Sequence, residues 1–269
     1  MTQKLFFFFA SIASSLRLII VSFLLFNIFF YVNAQNENYN YQYEVVKMDT
    51  TFDKGADLTI ETYLFHLKQE KDKVMSQSIG NSKAVLSSFA PVSPLSNLLV
   101  DMLFEWGNDY LDQKKMEKAD LALLNFGGIR ASLPQGKITI GDIYQVAPFD
   151  NTVAFFCVKG SELKKMFDTF TEKRNAPMAN VQTIYQNGRL FSYTIGGAPL
   201  ESDKIYTIVT INFLALGGDE FLSHSVPESV IYLEVPVRDV FIHEIRKKTM
   251  QNIEIESVRD DRVIIRPTP

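Results

Sequence analysis

The chain has one cysteine, Cys157, in 269 residues, behind what reads as a secretory leader. A single thiol has no partner within the chain, so an exported protein of this kind cannot be stapled and must rest on its apolar core. Cys157 lies in the run NTVAFFCVKG, which reads as a buried strand. There it is either a small core side chain or a nucleophile, and a nucleophile wants a His partner that the neighbouring sequence does not offer.

Residues 1–34 hold no acidic residue and two cations, Lys4 and Arg17, with the apolar run LIIVSFLLFNIFFYV from Leu18 to Val32. Val32 and Ala34 occupy small-residue cleavage positions, which is the layout of a signal peptide over residues 1–34. The competing reading is a retained anchor, but Arg17 splits the apolar stretch and leaves a segment short for a bilayer. Cleavage leaves 235 residues with 25 cations against 31 anions, a net charge of -6 compared with -4 for the full chain. An acidic product with no stable membrane insertion is expected in the periplasm or the medium, and it has no basic excess for nucleic acid.

After a polar tail at 35–42, QNENYNYQ, residues 43–266 alternate helical and strand patterns without repeats or low-complexity linkers. Helices are expected from Asp57 to about Lys73, through VSPLSNLLVDMLFEWGNDYL, over Ser161 to Phe170 and over about Val237 to Met250. In the second of these Ser93 caps, Pro94 takes the first turn, and Leu95, Leu98, Leu99, Met102, Leu103 and Trp106 form one face. Strands are expected at Leu121–Leu124, through NTVAFFCVKG, before the Gly196-Gly197 turn region with the return strand at Ile205–Asn212, and near Arg262–Ile265. The order predicts one α/β (α+β) domain, a mixed-sheet sandwich with interleaved helices.

Gly217-Gly218-Asp219-Glu220-Phe221 spells the signature of a diguanylate cyclase, but the upstream window EKRNAPMANVQTIYQ has none of the carboxylate and lysine pattern that such an enzyme needs. A short motif counts only in its context. The longer segment NFLALGGDEF instead resembles the substrate-binding C-terminal domain of 5'-nucleotidases and UDP-sugar hydrolases. NFGGIRASLPQGKITIGDIYQVAPFDN and VKGSELKKMFD resemble two further blocks of that family in the same order.

The resemblance implies a pocket for a nucleotide or nucleoside. Phe149 and Phe213 stand where the family sandwiches the base, and the alternative for either ring is core packing. Asp219 matches the ribose-holding acid or else organises its own turn. Gly217 and Gly218 permit positive φ and close backbone approach, and Gly127 and Gly128, just before Arg130, are further substrate-binding positions that the resemblance implies. Arg130 is a phosphate fork or a solvated surface residue, and Asn125 contacts the nucleoside or caps the turn. Two positions depart from the family. Phe126 replaces a glycine, which fills or reshapes the wall there, and FAPVSPLSNLL has no charge where the family carries an Arg and a Glu.

In the resembled family, catalysis belongs to a separate metallophosphatase domain in which two metal ions about 4 Å apart activate water. His66, His224 and His243 are far apart in this chain, with no Asp-x-His or Asn-His-Glu segment, so no catalytic residue and no metal or other cofactor is assigned to it. With a nearly complete substrate domain behind its own leader, this chain is expected to be the exported substrate-binding component in nucleotide catabolism, with divalent metals on a separate metallophosphatase chain. The alternative is a non-enzymatic nucleoside-binding or structural subunit.

Overall fold

The computed structural model describes residues 42–47, 49 and 57–267, together with 22, 23 and 26. The chain divides near residue 58 into two compact units, and the architecture below is that of the second, Thr59–Pro269. The leader reading at 1–34, apart from those three positions, and the tail reading, apart from residue 42, lie outside the described residues.

Helix α1 (Leu58–Met75) leads into strand β1 (Ser78–Ser82), followed by α2 (Pro94–Gln113), β2 (Leu121–Leu123), β3 (Gly136–Thr139) and α3 (Ile140–Val146). Next come β4 (Thr152–Lys159), α4 (Gly160–Asp168), β5 (Met178–Ala179), β6 (Val181–Gln186), β7 (Arg189–Ile195) and β8 (Ile205–Ile211). The chain closes with the short α5 (Asn212–Ala215), β9 (Pro227–Pro236), α6 (Val237–Met250) and β10 (Val263–Arg266). Among the described residues the strands form a five-stranded sheet ordered β5-β2-β8-β4-β9, a three-stranded sheet β10-β6-β7 and the pair β1-β3. Within the large sheet β2 and β8 are parallel, whereas β4 runs antiparallel to both β8 and β9. The architecture is the mixed α/β sandwich with interleaved helices.

An interior place in the sheet, between β8 and β9, explains why β4 is nearly all apolar. Phe155 pairs with Val209 on β8 and Ile231 on β9, and faces α2, where Tyr110 stacks on it at 5.6 Å. By strand alternation Phe156 points to the other side, where α4 packs on β4 and β8. Phe155 and Phe156 are both buried, so each strand face contributes a full aromatic side chain to a core. Cys157 is only half-buried and lies 3.6 Å from the Thr207 hydroxyl, a correction to its reading as a core thiol.

The face foreseen for α2 is the one that packs: Leu95, Leu98, Leu99, Met102 and Leu103 are buried, and Trp106 is partly so. The helix starts as its sequence signals, with Pro94 in the first turn and the Ser93 amide donating to Ser96 Oγ at 3.2 Å. In contrast, α1 has helical periodicity but none of its residues is buried. Helix α4 begins at Gly160, one residue before the expected Ser161 entry. A side chain at Gly160 would put its Cβ 2.0 Å from the Glu201 carbonyl oxygen.

Helix α2 crosses β8 at Gly107, where an added Cβ would lie 2.7 Å from Val209 Cγ2. Overpacking costs about 1–3 kcal/mol, and Ala gains about 1 kcal/mol over Gly inside a helix, so the fully buried, branched Val209 decides the sign. Gly107→Ala is therefore expected to lower the urea midpoint at unchanged m-value, and to cost less in a Val209→Ala background than in the wild type. A stabilised Gly107→Ala protein would mean that the helix does not cross the sheet there.

Candidate functional site

Strand pairing gathers the predicted residues at one end of the large sheet. Parallel β2 and β8 both finish there, which delivers Asn125 just past β2 and Asn212-Phe213 just past β8. Antiparallel β4 begins at the same end, with Val153 opposite Ile211, so the loop 148–151 arrives beside them. The Asn212 side-chain oxygen accepts from the Thr152 amide at 3.2 Å and the Phe213 amide at 2.8 Å, tying the two loops together.

Between these loops lies an open cavity of about 480 Å³ lined by Asn125, Gly127, Gly128, Phe149, Asn151, Phe213 and Asp219. Phe149 is 48% exposed and Phe213 42% exposed, so neither ring is spent on the core. Asn125 is buried and donates from Nδ2 to Asp219 Oδ2 at 2.6 Å, while Asp219 Oδ1 accepts no hydrogen bond from the described residues. The site thus offers two apolar ring surfaces and one carboxylate oxygen with lone pairs free to accept. None of its lining residues is a cation.

Two glycines are required by close approach. A Cβ on Gly218 would sit 2.5 Å from the Phe213 ring, and one on Gly128 would sit 2.7 Å from Asn125 Oδ1. Of the two glycines expected to permit positive φ in this segment, Gly217 has it, at 96°, and Gly218 does not. The left-handed positions that follow are Asp219 and Glu220. These five letters form helical turns after α5 rather than a strand-to-strand hairpin.

Of the eight predicted site residues, six line the cavity and Gly218 packs behind one wall. Arg130 stands outside the lining and is exposed, its Nη1 donating to the Gly127 carbonyl at 3.4 Å. Phe126, expected to fill or reshape a wall, also lies outside it. Sequence reasoning missed Asn151, whose signal was its place two residues after Phe149 on the same loop. It also missed Arg238, at the start of α6, whose Nη1 donates to the Pro148 carbonyl at 3.3 Å and the Phe149 carbonyl at 3.5 Å. Arg238 pairs with Asp150 as well, and its guanidinium lies 4.6 Å from the Tyr144 ring centre. Nothing local ties residue 238 to residue 149, so no motif could have found it.

Among the described residues no group of three or more His, Cys, Asp or Glu side chains is arranged to hold a metal ion. His66 is exposed on α1, and His243 Nδ1 lies 2.9 Å from Glu244 Oε1 on α6. The described residues do not fit a two-metal centre. No helix among the described residues is long and apolar enough to cross a membrane.

Fold and cavity define an α/β sandwich with an open cleft at the end of its main sheet. The chain belongs to the family described as 5'-nucleotidase, C-terminal domain, whose model matches residues 78–224. Protein UshA of Yersinia enterocolitica is 36% identical over 114 residues, covering 40% of this chain and 21% of that protein. A 5'-nucleotidase of Vibrio cholerae is 32% identical over 109 residues, 39% of this chain and 20% of its own length. The matches thus span about a fifth of these curated relatives. Among solved structures, that of a 5'-nucleotidase precursor from Thermus thermophilus superposes with a TM-score of 0.63 at 25% identity, covering 79% of this chain and 44% of that one.

Arg238 lies outside the matched segment and holds the loop that carries Phe149. Arg238→Ala is expected to speed amide exchange over 149–151 while β4 amides keep their protection, because the loop's outside anchor is lost and the sheet is not. Unchanged exchange at 149–151 would show that the loop does not depend on Arg238.

Proposed function

We propose that the cavity binds a nucleoside, or the nucleoside part of a nucleotide, and that this chain is the exported substrate-binding domain of a 5'-nucleotidase-type phosphoester hydrolase. In this reading the metal-bearing catalytic half is a separate metallophosphatase chain. The observation that carries it is the pair of half-exposed phenylalanines, Phe149 and Phe213, on one cavity with the Asp219 carboxylate. Half-exposed rings are poorly explained by core packing and well suited to stack on the two faces of a base. The bare Oδ1 of Asp219 suits a sugar hydroxyl, and Asn125, by donating to Oδ2, holds that carboxylate oriented. Export rests on the leader pattern of residues 1–34.

The neutral wall favours one refinement. With no cation on the lining and Arg130 outside it, affinity comes mainly from base and sugar. This same feature supports the second reading, a nucleoside-binding subunit with no enzymatic role. Hydrolysis of AMP and UDP-sugars, assayed with this protein alone and with a metallophosphatase and a divalent metal, separates the two. Stimulation by this chain supports the hydrolase, binding without stimulation supports the subunit, and turnover by this chain alone would overturn the division of labour.

Calorimetric titration tests the cavity itself. Adenosine or uridine is expected to bind nearly as well as its monophosphate, and Phe213→Ala to cost about 1–3 kcal/mol, the range for one stacking face. Arg130→Ala should weaken the monophosphate more than the nucleoside, because a guanidinium fork needs an anion to pair with. No effect of Phe213→Ala, or equal losses for both ligands on removing Arg130, would mean that the ligand sits elsewhere.

A further inference from the structure

Asp219 presents its carboxylate from an unusual backbone. Asp219 and Glu220 follow Gly217 and are both left-handed, with φ of 53° and 58°. A Cβ makes that conformation unfavourable, and two such residues in succession persist only where their surroundings hold them. The local bonds are few: the Glu220 amide donates to the Gly217 carbonyl at 3.1 Å, and Ser223 Oγ donates to the Glu220 carbonyl at 3.1 Å. Asn125 fixes the Asp219 side chain, but a side-chain bond alone leaves the peptide free to turn.

The remaining restraint comes from the loop after α4. Arg174 Nη2 donates to the Asp219 carbonyl at 3.1 Å and lies 3.6 Å from Glu220 Oε2, while its guanidinium lies 5.8 Å from the Phe221 ring centre. Its own backbone is pinned. The Thr171 amide donates to the Arg174 carbonyl at 2.8 Å, and the Arg174 amide donates to the Thr171 carbonyl at 3.1 Å and to Thr171 Oγ1 at 3.0 Å. Thr171 in turn bridges to Arg189 at the start of β7. One planar guanidinium therefore reaches two successive strained residues from a rigid base.

We propose that Arg174 is a positioning residue: by holding the Asp219 carbonyl it aims the Asp219 carboxylate at the sugar diol of the bound nucleoside. The inference rests on the nucleoside reading above. Arg174 is not on the cavity lining, so it acts through Asp219 and not on the ligand.

The test titrates uridine and 2',3'-dideoxyuridine, which lacks the diol, into wild type, R174A, D219A and the double variant R174A/D219A. The wild type is expected to prefer uridine. R174A should weaken uridine about tenfold, the scale of one charge-assisted hydrogen bond, and leave the dideoxy ligand within about twofold. The double variant should bind uridine no more weakly than D219A, because Arg174 has nothing left to aim. R174K, which keeps a single cationic donor, should lose less than R174A and serves as the measured variant if R174A does not fold. Equal losses for both ligands, or full additivity with D219A, would overturn the role of Arg174 while leaving the nucleoside site intact. A wild type that binds neither ligand would overturn the nucleoside reading itself.

Discussion

Helix α2 lies against the large sheet at Gly107, near enough to β8 that a single methyl group would touch Val209. That contact lets β8 sit between β2 and β4 under a helix whose apolar face is buried, and it brings Tyr110 onto Phe155. With β8 central, its parallel partner β2 and its antiparallel partner β4 must offer opposite chain ends at the same edge. The cleft follows from this geometry: it is built where two strands end and a third begins.

Within the cleft, rigidity and openness are divided between layers. The surfaces offered to a ligand, Phe149, Phe213 and Asp219 Oδ1, are held from behind rather than by one another. Gly218 lets the Phe213 ring approach the backbone closely, Arg238 grips the loop of Phe149, and Asn125 holds the second oxygen of Asp219. Preorganised loops of this kind have little freedom to lose on binding, which on the proposed nucleoside reading leaves more of the stacking energy as affinity. The lining carries one carboxylate and no cation, which sets the electrostatic character of the site against tight capture of a free anion.

Apart from α1, whose periodicity is legible although none of its residues is buried, the most legible elements are those that bury a continuous face. Helix α2, β4, β8 and the full span of α6 announce themselves because burial on a helix face or in a central strand imposes periodicity or a long apolar run. Strand β9 was missed because it is an edge strand with a largely exposed pattern and a proline at either end, so no alternation marks it. The short β1, SIGNS, is too polar and brief to register. Helix α3 does carry a local signal: Thr139 and Asp142 form a capping box, with the Asp142 amide donating to Thr139 Oγ1 at 3.2 Å, and that spacing is visible in the letters.

By itself the sequence determined the fold class, the family and the chemical kinds of residue at the cleft, since these depend on local periodicity and on short motifs whose order survives in one dimension. It also determined that no disulfide could assist, because Cys157 is alone. Only the tertiary structure decided which residues share a cavity, that Phe149 and Phe213 remain half-exposed, that Arg130 stays outside the lining, and that Arg174 and Arg238 stand behind the site. The physical reason is distance along the chain: Arg238 lies 89 residues from Phe149 and Arg174 lies 45 from Asp219. Contacts of that kind are made by strand order and helix crossing, which no local pattern of side chains encodes.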